Sequence, residues 1–249
     1  MIPWLDPRKL WFPDPNQALA DPPGLLAAGG DLSPERLIKA YSMGIFPWFE
    51  LGQPILWWSP DPRAVMRPQD LKLRRSLRKT LRNRNFTVSF DADFTKVVNA
   101  CAQPRTYSAE TWITREMANA YQVLHQLGHA HSLEVWQEDA LVGGLYGIAL
   151  GRVFFGESMF SLQRDASKIA LCALAYHLEQ AGFALLDCQM RSAHLDFMGS
   201  RSIPRSEFLD LLDRHIEATT AGKTWRSVET DLRSLATWEP GAGGNRKLQ

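Results

Sequence analysis

Asp187 and Gln189 stand two residues apart at the end of FALLDCQ (183–189), a short apolar run that follows Gly182. On a strand, that spacing turns both side chains to the same side of a sheet. A carboxylate at the polar end of a buried strand is costly unless it is paired or hydrogen-bonded. It could cap a turn, pair with an arginine, or act with its neighbour on a substrate, and the pattern leaves these readings open. Glu157 raises the same question. It lies between Phe154-Phe155-Gly156 and Ser158-Met159-Phe160, and a charge in such a run needs a salt bridge across the sheet or a chemical role. Other reactive groups read as structural. His129 and His131 would share one strand face, but no third ligand is near, so no metal site is expected. Ser158 lacks the glycine-flanked elbow of a serine hydrolase. Cys101, Cys172 and Cys188 are odd in number and lack the spacing of a metal knuckle. They read as buried filler in a reduced, intracellular protein.

A second kind of chemistry is suggested by charge. The 249 residues carry 28 Lys and Arg against 27 Asp and Glu. Seven of the positive charges are Lys72, Arg74, Arg75, Arg78, Lys79, Arg82 and Arg84, with no acidic residue among them. The remainder of the chain, within a total of +1, therefore carries −6. One basic face on a mildly acidic body suits an anionic partner. Nine tryptophans, Trp48, Trp57, Trp58 and Trp112 among them, supply rings on which a nucleic-acid terminus could stack, although most should be core.

These groups must be positioned by recognisable elements. The composition, 45% apolar and 22% charged, suits a globular core and excludes collagen, coiled coil and disorder. Ser33 as cap and Pro34 at the first position predict a helix with Leu37, Ile38 and Tyr41 inward and Gly44 as its stop. PDPR (60–63) reads as a turn or linker. A basic helix over 71–82 follows, with Leu73, Leu77 and Leu81 inward, Arg74, Arg78 and Arg82 on a neighbouring face, and Asp70 as its cap. A helix over 114–127 buries Met117, Tyr121 and Leu124. SLEVWQ (132–137), LVGGLYGIAL (141–150) and RVFFGESMF (152–160) then read as an antiparallel meander. A helix over 166–180 crosses to the buried strand 183–189, which should pair parallel to the last meander strand. A final helix runs over 206–217. Ligands in such sheets lie at the carboxyl ends of strands, so GESMF and LLDCQ should approach each other. The N-terminal MIPWLDPRKLWFPDP has no apolar core and is not a signal peptide. No run approaches about 18 uncharged apolar residues. A cytoplasmic protein without membrane spans is expected.

GLLAAGGDLSPERLIKAYSMGIFPWF (24–49), ILWWSPDPRAV (55–65), TWIT (111–114), HAHSLEVW (129–136), LVGGLYG (141–147), GESMFS (156–161) and DCQ (187–189) resemble the leucyl/phenylalanyl-tRNA–protein transferases. The resemblance runs from about residue 10 to residue 212. It implies an α/β (α+β) protein: a small N-terminal domain (1–62) and an N-acetyltransferase-like (GNAT) domain with a mostly antiparallel mixed sheet (63–235). The glycine-rich tail has no counterpart in the family, and its composition reads as disordered over 236–249. The resemblance implies leucyl-tRNA or phenylalanyl-tRNA as donor and a protein with N-terminal Arg or Lys as acceptor, the product being marked for degradation by the bacterial N-degron route. It implies a monomer with no cofactor and no metal. By the same resemblance Asp187 and Gln189 are the catalytic pair and Glu157 an acidic residue of the site. Trp48 and Trp112 surround the terminal adenosine, where Ser158 also contributes. Leu145, Phe154, Leu171, Leu174 and Leu186 form the apolar donor pocket. Arg74, Arg75, Arg78, Lys79 and Arg82 hold the tRNA. Leu145 departs from the family, where methionine is expected.

The chemistry follows from the substrates so implied. The donor ester is already activated, and the acceptor is an α-amine whose reference pKa is about 7.7–8.0. Alignment is then the main task, and in the best intramolecular cases it supplies roughly 7–11 kcal/mol. Asp187 would orient and polarise Gln189, whose carbonyl would hold the amine, and Glu157 would attract the positively charged acceptor. One methylene misplaced in the pocket is worth ~1–3 kcal/mol, so donor selection should be by shape and moderate. Two rival readings are a coenzyme-A-dependent N-acetyltransferase and a non-catalytic RNA-binding protein. The first needs glycines at the start of the crossover helix to cradle pyrophosphate, and QRDASK (163–168) has none.

Overall fold

The computed structural model describes residues 2–83, 85–103, 113–216, 225 and 230–242. The chain begins with β1 (Trp4–Leu5), β2 (Leu25–Gly29), α1 (Pro34–Ser42), β3 (Phe46–Pro47) and β4 (Leu56–Trp58). The four strands form one sheet in the order β1-β2-β4-β3, parallel only between β1 and β2. α1 starts and stops where its sequence says it should. Ser33 Oγ accepts the Arg36 N–H at 3.4 Å, Pro34 opens the first turn, and Gly44 follows the helix at φ +72°. Arg36 is buried and donates to the carbonyls of Asp6, Pro7 and Lys9, which fastens the N-terminal arm to α1.

The second sheet begins with β5 (Arg63–Met66). It is followed by α2 (Arg75–Asn83), β6 (Thr87–Phe90), α3 (Phe94–Cys101), α4 (Arg115–Gln126), β7 (Ala130–Gln137), β8 (Ala140–Leu150) and β9 (Val153–Ser161). Then come α5 (Ala166–Gln180), β10 (Leu185–Gln189), α6 (Ala193–Met198), β11 (Arg201–Ile203), α7 (Arg205–His215) and α8 (Leu232–Thr237). The seven strands run β11-β5-β10-β9-β8-β7-β6, antiparallel at every pairing except β9 with β10. The expected meander is β7-β8-β9, and α5 is the crossover that makes β10 parallel to β9. This is a mixed α/β fold with a mostly antiparallel sheet. No described helix is long and apolar enough to cross a membrane.

The sheet is covered on both faces, so its central strands read as nearly unbroken apolar runs. On β8, Tyr146, Ile148 and Leu150 join Phe94, Met117 and Tyr121 of α3 and α4. The alternate residues Leu145 and Ala149 join Ile169 and Leu174 of α5. β9 divides the same way, with Val153 and Phe155 to the first face and Phe154 to the second.

Three expectations need correction. The basic helix starts at Arg75 rather than at 71, and Asp70 does not cap it. Asp70 ends a short 3-10 turn and accepts both Nε and Nη2 of Arg67 at 2.7 Å, while Lys72 N–H goes to the Met198 carbonyl at 2.8 Å. Residues 71–74 are thus tied across to the end of α6 before the helix can begin. PDPR is more than a linker, because Arg63 is already a strand residue. The tail is ordered further than its composition suggests. α8 reaches Thr237, Trp238 Nε1 donates to Glu179 at 2.8 Å, and Gly241 N–H reaches the same carboxylate at 3.0 Å. Residues 243–249 lie outside the described residues.

Gly147 shows how tightly β8 and β9 approach. A Cβ there would overlap the Phe155 carbonyl oxygen and sit 2.6 Å from the Phe154 ring. Gly147→Ala must therefore push β9 or the Phe154 ring aside. We expect a loss of about 1–3 kcal/mol of stability from overpacking, read as a lower denaturant midpoint. An unchanged midpoint would show that the two strands have slack.

Candidate active site

β9 and β10 pair as far as Phe155 opposite Asp187 and then part. Both strands are irregular just beyond. On β9, Glu157 is the extra residue between Gly156, opposite Gly147, and Ser158, opposite Tyr146. On β10 the register with β5 shifts between Asp187 and Gln189, and Gln189 has φ +60°. Bulges of this kind re-aim side chains at functional sites, and here they separate the two residues expected to share a face. Asp187 has no exposed surface. Arg63 donates to both its oxygens, Nε to Oδ1 at 2.9 Å and Nη2 to Oδ2 at 2.7 Å. Its Oδ1 also accepts the Gln189 backbone N–H at 2.9 Å. The Gln189 side chain turns the other way and donates Nε2 to Glu157 Oε1 at 2.7 Å. The Asp187 carboxylate therefore holds the Gln189 backbone N–H, while the Gln189 side-chain amide is bonded to Glu157 instead.

Glu157 is surrounded by neutral donors. Tyr41 of α1 donates to Oε1 at 2.8 Å, Tyr121 of α4 to Oε2 at 2.5 Å, and the two hydroxyls lie 2.7 Å apart. Burial pushes the Glu157 carboxyl up to about 7, with the Asp187 charge adding to the rise and the tyrosine and glutamine hydrogen bonds opposing it. Burial and the Glu157 charge hold both tyrosines well above their ordinary range, so they remain donors. With Nε2 committed to Glu157, the Gln189 carbonyl oxygen has no hydrogen-bond partner among the described residues.

A cavity of about 700 Å³ opens where the strands part. Leu145, Phe154, Leu171, Leu174 and Leu186 form its apolar part, and Glu157, Ser158, Asp187 and Gln189 also border it. All nine of these sequence-predicted residues are thus brought to one hollow. Cys188 lies beside them with its thiol pushed up by burial, which leaves it a poor nucleophile. Trp48 is not in the lining. It stands 38% exposed with its ring edge-on to Trp58 at 5.4 Å. Trp112 lies outside the described residues. Arg74, Arg75, Lys79 and Arg82 are exposed on and before α2. Arg78 is turned away to the Ala236 carbonyl at 2.9 Å and Glu239 at 3.2 Å. The guanidinium of Arg74 lies 4.5 Å over the Phe197 ring. Phe197 belongs to α6, whose His194 and Leu195 line the cavity, so the basic surface borders the hollow.

Residues that sequence reasoning passed over include Tyr41, Tyr121, Tyr146 and Arg63. Tyr41 and Tyr121 were legible only as apolar-face residues, although a buried tyrosine hydroxyl usually has a partner and so advertises a polar neighbour. His131 is engaged elsewhere: its Nδ1 pairs with buried Asp91 at 2.8 Å and its ring stacks on Trp225 at 4.0 Å. Among the described residues no cluster of three potential metal ligands occurs.

The Glu157 carboxyl titrates higher in the fold, about 7, than its ordinary value of 4.5. Between those values the folded state holds more protons than the unfolded chain. This group's contribution to stability is therefore greatest below about pH 4.5 and declines as pH rises through about 7. Glu157→Gln should remove that decline. The stability difference between the two proteins should drift by about 3 kcal/mol in favour of the variant from pH 4.5 to 8. Parallel pH profiles would mean that Glu157 is not strained by burial.

Comparisons with known proteins show the family. Residues 65–213 match the family described as leucyl/phenylalanyl-tRNA protein transferase, and residues 30–61 match its N-terminal domain. A leucyl/phenylalanyl-tRNA–protein transferase of Pseudomonas syringae pv. syringae (strain B728a) is 57% identical over 220 residues, 88% of this chain and 96% of that one. That of Hahella chejuensis is 58% identical over 217 residues, 87% of this chain and 92% of that one. Among solved structures, a GCN5-related N-acetyltransferase from Kribbella flavida is 12% identical with a TM-score of 0.33, covering 68% of this chain and 60% of that one, a likeness too slight to bear on the activity. Matched over both family segments and along nearly the whole length of its relatives, the chain belongs to the leucyl/phenylalanyl-tRNA–protein transferase family.

Proposed function

We propose that this enzyme transfers leucine or phenylalanine from charged tRNA to the N-terminal Arg or Lys of a protein, marking that protein for degradation. The observation that carries the reading is one hollow whose apolar part adjoins the Gln189–Glu157 pair. The donor side chain enters among Leu145, Phe154, Leu171, Leu174 and Leu186, which brings the ester carbonyl beside Gln189. Gln189 Oε1 accepts a hydrogen bond from the incoming amine and aims its lone pair at that carbonyl. The nitrogen bonds to the carbonyl carbon, the ester bond to the ribose oxygen breaks, and the ribose leaves with the proton that the amine gives up. Glu157, when ionised, attracts the acceptor's positive charge. Asp187 is a positioning residue, since both its oxygens are held inside the protein. The ester is already activated, so the reaction needs no coenzyme. The start of α5, where an acyl-coenzyme pyrophosphate would rest, instead carries the Asp165 carboxylate, held by Lys168 at 2.7 Å.

The exposed indole of Trp48, with Trp112 and Ser158, serves the terminal adenosine. Arg74, Arg75, Lys79 and Arg82 receive the phosphates of the acceptor stem. Arg78 is left out because it secures the C-terminal segment. The enzyme works as a cytoplasmic monomer with its N-terminal domain over 1–62, a reading supported by the family and by the separate four-stranded sheet of residues 4–58.

Incubation with radiolabelled leucyl-tRNA and an arginine-starting peptide should give labelled peptide. Gln189→Ala should slow transfer about 100-fold through misplacement of the amine and leave leucyl-tRNA binding intact. Full transfer by the variant would remove Gln189 from the mechanism, and no transfer by the unaltered protein would reject the activity.

Replacing Arg74, Arg75, Lys79 and Arg82 by Gln should weaken every charged tRNA alike. The log–log salt dependence of binding should become shallower by about 2–4 units, whereas Arg78→Gln alone should leave it unchanged. An unaltered slope in the fourfold variant would move the docking surface elsewhere.

A further inference from the structure

Gln189 is held at both ends by one short stretch of the N-terminal region. Its side-chain Nε2 donates to Glu157, which accepts from Tyr41 near the end of α1. Its backbone N–H donates to Asp187, which accepts from Arg63, and Arg63 Nη1 donates to the Gly44 carbonyl at 3.2 Å. Tyr41 and Gly44 stand three residues apart, so the hydrogen bonds close a ring that leaves α1, passes through Gln189 and returns to the turn after the same helix. Arg63 is enclosed on every side that the ring uses. Its guanidinium lies between the Phe46 ring at 4.8 Å and the Phe208 ring at 4.6 Å, and it is buried with Asp187. Gln189 itself sits at φ +60°, a region glutamine rarely adopts. The bond from its N–H to Asp187 and a tight turn across it, Met190 N–H to the Cys188 carbonyl at 2.7 Å, hold that conformation.

From this geometry we infer that Arg63 is a positioning residue for the transfer reaction: clamped by Gly44, Phe46 and Phe208, it sets through Asp187 the direction in which Gln189 presents its carbonyl. The inference rests on the proposed role of Gln189. It assigns to the seating of the Tyr41–Phe46 stretch a control over the reacting geometry that ordinary scaffold residues lack. Arg63→Lys keeps the charge but cannot reproduce two parallel N–H bonds to one carboxylate together with a third to Gly44. Asp187 can then shift, and Gln189 with it.

The test is a double-mutant cycle on the full-length protein, with leucyl-tRNA and an arginine-starting peptide as substrates. Arg63→Lys should lower kcat about 30-fold while changing the KM for leucyl-tRNA less than about 2-fold, because only the reacting geometry is disturbed. In the Gln189→Ala background the same change should cost less than about 3-fold, since a residue that acts through Gln189 loses its effect when Gln189 is gone. Equal costs in both backgrounds, or a loss confined to KM, would overturn the inference and leave Gln189 in place. Gln189→Ala with undiminished transfer would overturn the reading of Gln189 itself. If Arg63→Lys does not fold, Phe46→Leu, which removes one wall of the clamp and spares the ion pair, replaces it in the cycle. A smaller kcat loss that again vanishes with Gln189→Ala supports the inference, and an unchanged kcat overturns it.

Discussion

A carboxylate with no exposed surface needs a partner that is both charged and correctly shaped, and Asp187 finds one in Arg63. Two N–H bonds in parallel match the fork of a guanidinium to the two oxygens of a carboxylate. Such a pair adds little net stability, because desolvating both ions offsets most of their attraction, yet removing either partner strands a buried charge. Its consequence here is geometric. Arg63 comes from β5 and Asp187 from β10, so the pair locks adjacent strands in register at the point where β10 stops pairing with β9. The cavity exists because β9 and β10 separate there. Without a fixed anchor at the fork, the hollow and the groups around it would have no defined shape.

The same fork explains why an apolar hollow and a polar cluster share one cavity. Along β8 and β9 successive residues belong to opposite faces of the sheet. Leu145 and Phe154 look toward α5, while Tyr146 and Phe155 look toward α3, α4 and α1. An unbroken sheet would keep the two faces apart. Where β9 and β10 diverge, the α5 face meets polar groups that arrive from the α1 and α4 side, Tyr41 and Tyr121 among them. The bulged Glu157 stands at that opening, which is why a charge occurs inside the run FFGESMF.

Much of this was legible in the sequence. The helix cap at Ser33, the stop at Gly44, the helix after Thr114, the period-two runs of the meander and the crossover to β10 all follow from local rules, and the structure has them. That GESMF and LLDCQ would meet was also legible, because a crossover helix forces their strands side by side. The failures share a cause. Asp187 and Gln189 were placed on one face by counting residues, but counting presumes a regular strand, and the bulge with the positive φ at Gln189 cancels it. Arg63 looked like the end of a turn, because nothing within PDPR records that a carboxylate 124 positions later will face it. Arg78 shares its spacing with Arg74 and Arg82, but its fate is decided by Ala236 and Glu239. Periodicity assigns a residue to a face and is silent about what covers that face. The composition of the tail likewise could not reveal that Trp238 would find Glu179.

Asp187 and Glu157 are two carboxylates of one site, treated in opposite ways. Asp187 is given a cation that belongs to the protein. Among the described residues Glu157 accepts from two phenols and an amide, all neutral, and burial carries its carboxyl up to about 7. A carboxylate so placed is stabilised further by any cation that enters, and entry of a cation in turn favours its ionised form. Pairing Glu157 internally would have made it as closed to guests as Asp187. With no cation on Glu157 among the described residues, a cationic guest is favoured beside Gln189, whose carbonyl oxygen can accept an N–H but repels a second carbonyl. The described groups thereby favour a guest that is positively charged and rich in N–H donors, as the proposed acceptor, a basic amino terminus, would be. In the proposed reaction, substrate preference and positional control thus come from a single asymmetry: Arg63 supplies the counter-ion to Asp187, while among the described residues Glu157 meets neutral donors and leaves its counter-ion to the substrate.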